Sequence, residues 1–308
     1  MAQLIETRFS LTPEPPFHFA NTAYSHGWVA LHPNQWDKEQ QKLQRAEHLS
    51  SGNVVNISVE NSGSIHEPII CIDVQHAESL TEAELQEISK NVRHMFRLDE
   101  NFHEFYALCK SAGKQWQKMS NGLGRLLRSP SVYEDIVKTI CTTNIQWGGT
   151  KRMVEGIVRE FGAPFPGDEN LNAFPSPQAI AAIPFAEFSK RVNLGYRSDY
   201  IHLLSRRIAD GELEPEQFLD PEIPTPELKK SLLHIKGIGN YAAATMLMLL
   251  GRYDELPVDS VFRQFVSQKY FGGAPMSDKD GATIYDDWGK WKYLAYWFDL
   301  WEGTTENV

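Results

Sequence analysis

Residues 232–263, LLHIKGIGNYAAATMLMLLGRYDELPVDSVFR, decide the reading of this 308-residue chain. Apolar spacing predicts a helix that ends near Ile235, and Gly237-Ile238-Gly239 then supplies a tight turn. Asn240 to Leu250 predicts a second helix, Arg252 to Val258 a loop, and Asp259 stands at the mouth of a third helix. A hairpin of this kind turns backbone N–H groups outward at a helix N-terminus, where they can hold a phosphate. Asp259 follows Tyr241 by eighteen residues and can act on whatever that phosphate belongs to.

The same glycines permit another reading. Gly237-Ile238-Gly239-Asn240-Tyr241-Ala242 fits the dinucleotide fingerprint, and Asp259 lies about twenty residues on. That fingerprint requires a strand before its first glycine. Here Thr225 is expected as an N-cap, Pro226 as the first helical residue and Glu227 in the first turn. Leu228, Leu232 and Ile235 follow at helical spacing. A helix before the glycines counts against a nucleotide-cofactor enzyme.

Upstream, residues 17–76 alternate apolar and polar in short runs broken by Asn, Gly, Pro and Ser. Gly27–Leu31, Val54–Val59 and Pro68–Val74 are expected as strands of an antiparallel sheet. Thr81 and Glu84 form a capping box for a helix, and from there to Phe271 the periodicity is mostly helical. Pro164–Pro184 is expected as loops around short helices. The predicted class is α+β: an N-terminal antiparallel sheet domain with a helix over 1–110, then a mainly α-helical domain over 111–308. The helix-hairpin-helix falls at about 225–250.

Composition narrows the function classes. Hydrophobic residues make up 42% and charged residues 23%, which suits a globular protein without a membrane partner. The longest apolar stretch, Tyr241 to Leu250, is too short to span a bilayer. Met1 to Glu6 has neither a basic segment nor an apolar run of a secretory signal. Cys71, Cys109 and Cys141 lack metal-binding spacing and are expected as small buried apolar residues in a reducing compartment. The expected location is therefore intracellular: cytoplasm or nucleoid in a bacterium, nucleus or organelle in a eukaryote. A net charge of −10 argues against indiscriminate DNA binding. Residues 110–162 nevertheless hold nine Lys and Arg against four acids, and are read as either a basic face or an ordinary solvated one.

Taken together, "Ile-Lys-Gly-Ile-Gly" (235–239) and "Leu-Pro-Val-Asp" (256–259) make the chain resemble the helix-hairpin-helix DNA glycosylases, in both their 3-methyladenine and 8-oxoguanine branches. Three further segments agree: Ser129 to Asn144, Asn-Leu-Gly-Tyr-Arg (193–197) and Phe-Arg-Leu-Asp (96–99). They look like the helix entering the DNA-facing loop, the second loop of that face, and the end of the sheet domain. The resemblance covers most of the chain. It implies a monomer acting on double-stranded DNA that contains a damaged base. It implies base-excision repair without a required cofactor. The three cysteines exclude the iron–sulfur cluster that some relatives carry.

Residue roles follow from the match. Asp259 is the expected catalytic carboxylate. Hydrolysis of an N-glycosidic bond develops positive charge on the sugar, which a carboxylate stabilises while it orients water. The alternative role for Asp259 is a plain N-cap. Tyr241 stands where bifunctional relatives have a lysine, whose amine would form a Schiff base and lead to strand cleavage. Its phenol cannot do so, which implies a monofunctional hydrolase. Lys236, Gly237, Ile238, Gly239 and Asn240 are expected on the DNA backbone. Backbone carbonyls of Leu233, Ile235 and Ile238 are expected to hold a structural monovalent cation.

Flipping a base leaves a gap and an orphaned partner. Asn144 aligns with the residue that fills the gap, and Tyr196 and Arg197 with a wedge and an orphan-cytosine contact. Their alternatives are an N-cap and loop packing. Tyr296 and Trp297, in an aromatic C-terminal segment, are expected either in a base pocket or in the core. The orphan-base residues point to oxidised guanine, whereas the missing lysine and aromatic tail point to alkylated purines. A second function on the same fold is a DNA-lesion binder without turnover.

Overall fold

The structure, a computed structural model, describes residues 4–301. It divides into two compact units, 1–215 and 216–308.

The first unit opens with strand β1 (Ile5–Leu11) and helix α1 (Phe19–Tyr24). Strands β2 (Gln35–Asp37), β3 (Lys42–His48), β4 (Val54–Asn61) and β5 (Ile70–His76) complete an antiparallel sheet in the order β1-β5-β4-β3-β2. The register aligns Phe9, Ile72, Val59, Leu43 and Trp36 in one row across all five strands. Ile70, Ile72, Val74, Val55, Ile57 and Val59 are buried, as the alternation along β4 and β5 predicts.

Helix α2 (Glu82–Phe96) starts at the expected capping box, in which the Thr81 hydroxyl accepts the Glu84 N–H and Glu84 accepts the Thr81 N–H at 2.7 Å. Ser51 and Asn53 also donate to Glu84, tying the helix start to the β3–β4 turn. Arg97 closes the helix in the left-handed region at φ 56°.

Helices α3 (His103–Ser111), α4 (Lys114–Gln117), α5 (Val132–Thr142) and α6 (Trp147–Phe161) follow. A short ribbon of β6 (Pro164–Phe165) and β7 (Asp168–Asn172) comes next, then α7 (Pro177–Ala181), α8 (Phe185–Arg191) and α9 (Arg197–Ala209). The expected boundary at 110/111 falls inside this unit. Arg45 of β3 reaches Glu134 of α5 at 2.9 Å, and Glu134 pairs with Lys138 at 2.6 Å, all three buried. Trp28 donates to Asp135 at 2.8 Å, a second tie between the two expected domains.

Two expected elements differ. Gly27–Leu31 is not a strand: Trp28–Ala30 form a short 3-10 helix, after Gly27 at φ 93°. A brief apolar run carries no period that separates a strand from a buried helical turn. Pro164–Pro184 contains the β6–β7 ribbon, where loops and short helices are expected.

The second unit holds α10 (Thr225–Leu233), α11 (Asn240–Leu249), α12 (Ser260–Tyr270), α13 (Asp278–Thr283) and α14 (Lys292–Trp301). Its core gathers Leu228, Leu232, Ala243, Met246, Leu247 and Leu294. Among the described residues no helix is long and apolar enough to cross a membrane.

Candidate active site and nucleic-acid interface

In the second unit, α10 begins one residue earlier than the caps suggest. Thr225 is its first residue, and its hydroxyl donates to Asp254 at 3.0 Å instead of capping. Lys229, one turn on, pairs with Glu255 at 2.6 Å. Two contacts thus fasten the loop before Asp259 to the helix before the hairpin.

The hairpin itself spans His234 to Gly239. Gly237 takes φ 96°, a conformation glycine adopts without strain. Ile238 donates to the Ile235 carbonyl at 3.0 Å, and both side chains are buried, which locks the turn from within. Gly239 precedes α11 with an ordinary extended backbone, and a Cβ there would meet nothing within 4 Å. Lys236, Gly239 and Asn240 are exposed. The N–H groups of Asn240, Tyr241 and Ala242 open α11 without an intrahelical acceptor, as the first turn of any helix must. The Ile235 carbonyl of this turn accepts the Ile238 N–H, and Leu233 closes α10 just before it.

Asp259 caps α12: its Oδ1 accepts the Phe262 N–H at 2.8 Å, and its own N–H donates to the Pro257 carbonyl at 2.7 Å. The cap leaves Oδ2 for other work. Tyr241, Tyr293 and Tyr296 gather around this carboxylate. Burial, then the Asp259 charge, then Tyr241 push the Tyr296 phenol up. Burial, Tyr241, Tyr296 and Asp259 do the same for Tyr293. The Tyr241 phenol is raised by desolvation and by Asp259, although the residue is 48% exposed overall. All three phenols are therefore protonated at neutral pH and can donate hydrogen bonds.

Tyr296 is buried and sits edge-on to Phe262 at 5.1 Å. Trp297, half-buried, stacks on Tyr293 at 6.4 Å and leans on Trp301 at 5.5 Å. Tyr293 is the site residue that sequence reading passed over. Its signal was its spacing, three residues before Tyr296 on one helix. Asp299 was also missed. It is buried and accepts Tyr270 at 2.6 Å, Tyr285 at 2.8 Å and Lys269 at 2.6 Å, which fixes Tyr285 against Tyr296.

In the first unit, α5 ends where Asn144 turns the chain at φ 48°. Asn144 Nδ2 donates to the Tyr196 hydroxyl at 3.4 Å, so residues 52 apart in sequence meet. Tyr196 is 50% exposed. Arg197 is buried, its guanidinium lying 4.5 Å from the Tyr196 ring centroid and donating to the Thr143 carbonyl. Arg197 thus supports the two loops from behind and does not face solvent as a base contact would. Ile145 and Trp147 flank Asn144 and are exposed at 42% and 40%. Of the nine cations in residues 110–162, Arg125, Arg128 and Lys138 are interior, which removes a third of the basic face. Cys109 and Cys141 are buried, with thiols pushed up to about 12 by burial, and Cys71 is half-buried.

No family profile matches the chain. A Bacillus subtilis protein named "Putative DNA-3-methyladenine glycosylase YfjP" is 23% identical over 92% of this chain and 93% of its own length. The structure of a 3-methyladenine DNA glycosylase from Archaeoglobus fulgidus matches with TM-score 0.74 and 20% identity, over 96% of this chain and 99% of that one. The fold is that of the helix-hairpin-helix DNA glycosylases. An 8-oxoguanine glycosylase/lyase from Clostridium acetobutylicum shares it, at TM-score 0.59 and 18% identity over 86% of this chain and 89% of that one. That structure holds double-stranded DNA with cytosine opposite 8-oxoguanine. Both branches named by the sequence motifs thus share this architecture.

Proposed function

We propose that this chain is a monofunctional DNA N-glycosylase of base-excision repair. It would flip an alkylated or oxidised purine out of duplex DNA and hydrolyse its N-glycosidic bond. The observation that carries the reading is the Asp259 carboxylate. It is pinned by the Phe262 N–H, follows a glycine hairpin, and has Tyr241 beside it in place of an amine.

In this mechanism the N–H groups at the start of α11, with Lys236 and Asn240 beside them, hold a backbone phosphate. The carbonyls of Leu233, Ile235 and Ile238 would hold a monovalent cation, which would offset the phosphate charge. Asp259 stabilises the oxocarbenium-like sugar and orients water at C1′. Trp297 offers aromatic surface to the flipped base, whereas Tyr296 takes the alternative place in the core, buried against Phe262; protonated Tyr241 and Tyr293 orient groups around the carboxylate. Asn144 and Tyr196 fill the gap in the duplex, and Arg197 positions them. The protein acts as a monomer inside the cell.

The test is base release from duplexes that each hold one defined lesion, with and without alkali. Nicking only after alkali, and no covalent adduct trapped by borohydride, is the expected result. Efficient trapping by the unmodified protein would overturn the monofunctional assignment and return Lys236 as a nucleophile. Lesion binding without base release would favour the non-catalytic reading, against which the retained Asp259 stands.

A further inference from the structure

A second concave site lies in the first unit, away from the hairpin in sequence and built from other elements. Thr7 and Phe9 of the edge strand β1 face one flank of α2 across a cavity of about 720 Å³. That size is within the range of small-ligand sites, about 300–1,000 Å³. Phe9 and Leu85 give it an apolar floor, and the Thr7 and Ser89 hydroxyls and the Gln86 amide add neutral hydrogen-bonding groups.

Charge is the decisive feature. Lys90, Arg93, Arg97 and Arg128 line the cavity against Glu82, Asp99 and Glu100, while Arg8 at its rim turns its guanidinium to Glu60 at 2.8 Å and Asp73 at 3.3 Å. The local balance is positive in a chain whose net charge is −10. The cavity's own carboxylates show that its cations accept anions. Asp99 takes Arg93 at 2.7 Å, and Glu100 takes both Arg97 at 2.7 Å and Arg128 at 3.3 Å.

These two arrangements differ. Arg97 is fully buried and Glu100 partly so, which makes that end a fixed wall. Asp99 is 69% exposed and Arg93 36%. Exposed pairs of this kind are weak, so a dianion can displace Asp99 from Arg93. Lys90 lies three residues before Arg93, on the same helix flank, and is exposed. Two cations one turn apart suit a group with several acceptor oxygens better than a single carboxylate. His94 lies on the same wall with an imidazole held neutral, driven to about 2 by burial and then by Arg128, Arg97 and Lys90. It therefore adds no competing charge.

We propose that this cavity binds a phosphate monoester of a compact organic body, with the phosphate between Lys90 and Arg93 and the body on Phe9 and Leu85. The proposal does not depend on the glycosylase reading.

The experiment is calorimetric titration of the whole protein, at fixed ionic strength, with a deoxynucleoside 5′-monophosphate, a sugar phosphate and inorganic phosphate. Saturable one-to-one binding of at least one ester, tighter than inorganic phosphate, is expected, and comparison of the two esters identifies the body. Lys90→Glu and Arg93→Glu should each weaken it about tenfold or more, because each puts a like charge at the phosphate. Leu85→Ala should weaken the ester and leave inorganic phosphate unchanged. Gly239→Asp at the hairpin should leave ester binding intact, which separates this site from the other anion site.

No saturable ester binding at millimolar concentration overturns the proposal. So does binding that survives both charge reversals, or ester and inorganic phosphate binding equally. Displacement of the ester by duplex DNA, together with loss of DNA affinity in Lys90→Glu, would instead make the cavity part of a nucleic-acid surface.

Discussion

At the scale of single residues, Asp259 combines two jobs that usually belong to different side chains. One oxygen caps a helix, and the carboxylate also faces three protonated phenols. Asp259→Asn keeps a cap acceptor, because asparagine caps helices as well as aspartate does. The fold should therefore persist while base excision falls by roughly 10²–10³-fold or more, the cost of losing one preorganised electrostatic group. Single-turnover release on a lesion duplex measures this, with a filter-binding assay to show that affinity is retained. Wild-type turnover in the folded variant would remove Asp259 from the chemistry. Asp259 and Tyr241 were legible in the sequence because both hang on a glycine hairpin with fixed spacing. Arg197 was not. A buried arginine reads like an exposed one until its partner, the Thr143 carbonyl 54 residues away, is placed.

At the scale of elements, helix starts do much of the positioning. Gly239 stands before α11 with an unstrained backbone and open space where a side chain would go. Gly239→Asp should thus fold normally and set a carboxylate against the incoming phosphate. Affinity for lesion-bearing and undamaged duplexes should drop by the same factor, since backbone contacts carry no sequence information. Fluorescence anisotropy with matched duplexes checks this, and a loss confined to damaged DNA would contradict it.

Helix α2 offers a stability test. Ser51 and Thr81 hold the Glu84 carboxyl down to about 2 by hydrogen bonds. The stabilisation is complete above the ordinary carboxylate range, near 4.5, and is lost as pH falls toward 2. Thr81→Ala should cost about 1 kcal/mol in urea denaturation at pH 7. Glu84→Gln should flatten the decline in stability between pH 4.5 and 2. The capping box and strands β4 and β5 were readable because their signals are local. Strand β3 was hidden, since Arg45 and Glu47 fill core positions where the alternation requires apolar residues.

At the scale of the whole chain, each unit can be judged by itself. The first unit buries many charges: Arg45, Arg97, Arg125, Arg128 and Lys138 are all inside, alongside Glu47, Glu134 and Asp135. Charge counting along the sequence assigned three of these cations to a surface face, since composition cannot tell an inward cation from an outward one. The interior cations bear on acid behaviour. His94 is kept neutral in the folded unit but takes a proton in the unfolded chain below about 6.5. Its contribution is complete above that value and falls as pH drops. His94→Gln should remove close to one proton from the pH slope of stability between 6.5 and 4.5. That is about 1.4 kcal/mol per pH unit relative to wild type, read from urea midpoints.

The Arg45–Glu134–Lys138 cluster has a consequence for how this chain can change over generations. Losing any one member strands a buried charge, at a cost of about 3–5 kcal/mol, whereas concerted replacement by apolar residues is close to neutral. Arg45 also pairs with buried Glu47 at 3.2 Å, so single steps at positions 45, 47, 134 and 138 are barred while a concerted exchange of all four is open. Lineages should carry either all four charges or none, and an allele with one changed should be rescued by second-site changes at the other three. Because Glu134 and Lys138 lie on the helix that delivers Asn144, such coupled exchanges would tie drift in the sheet to drift in the loop.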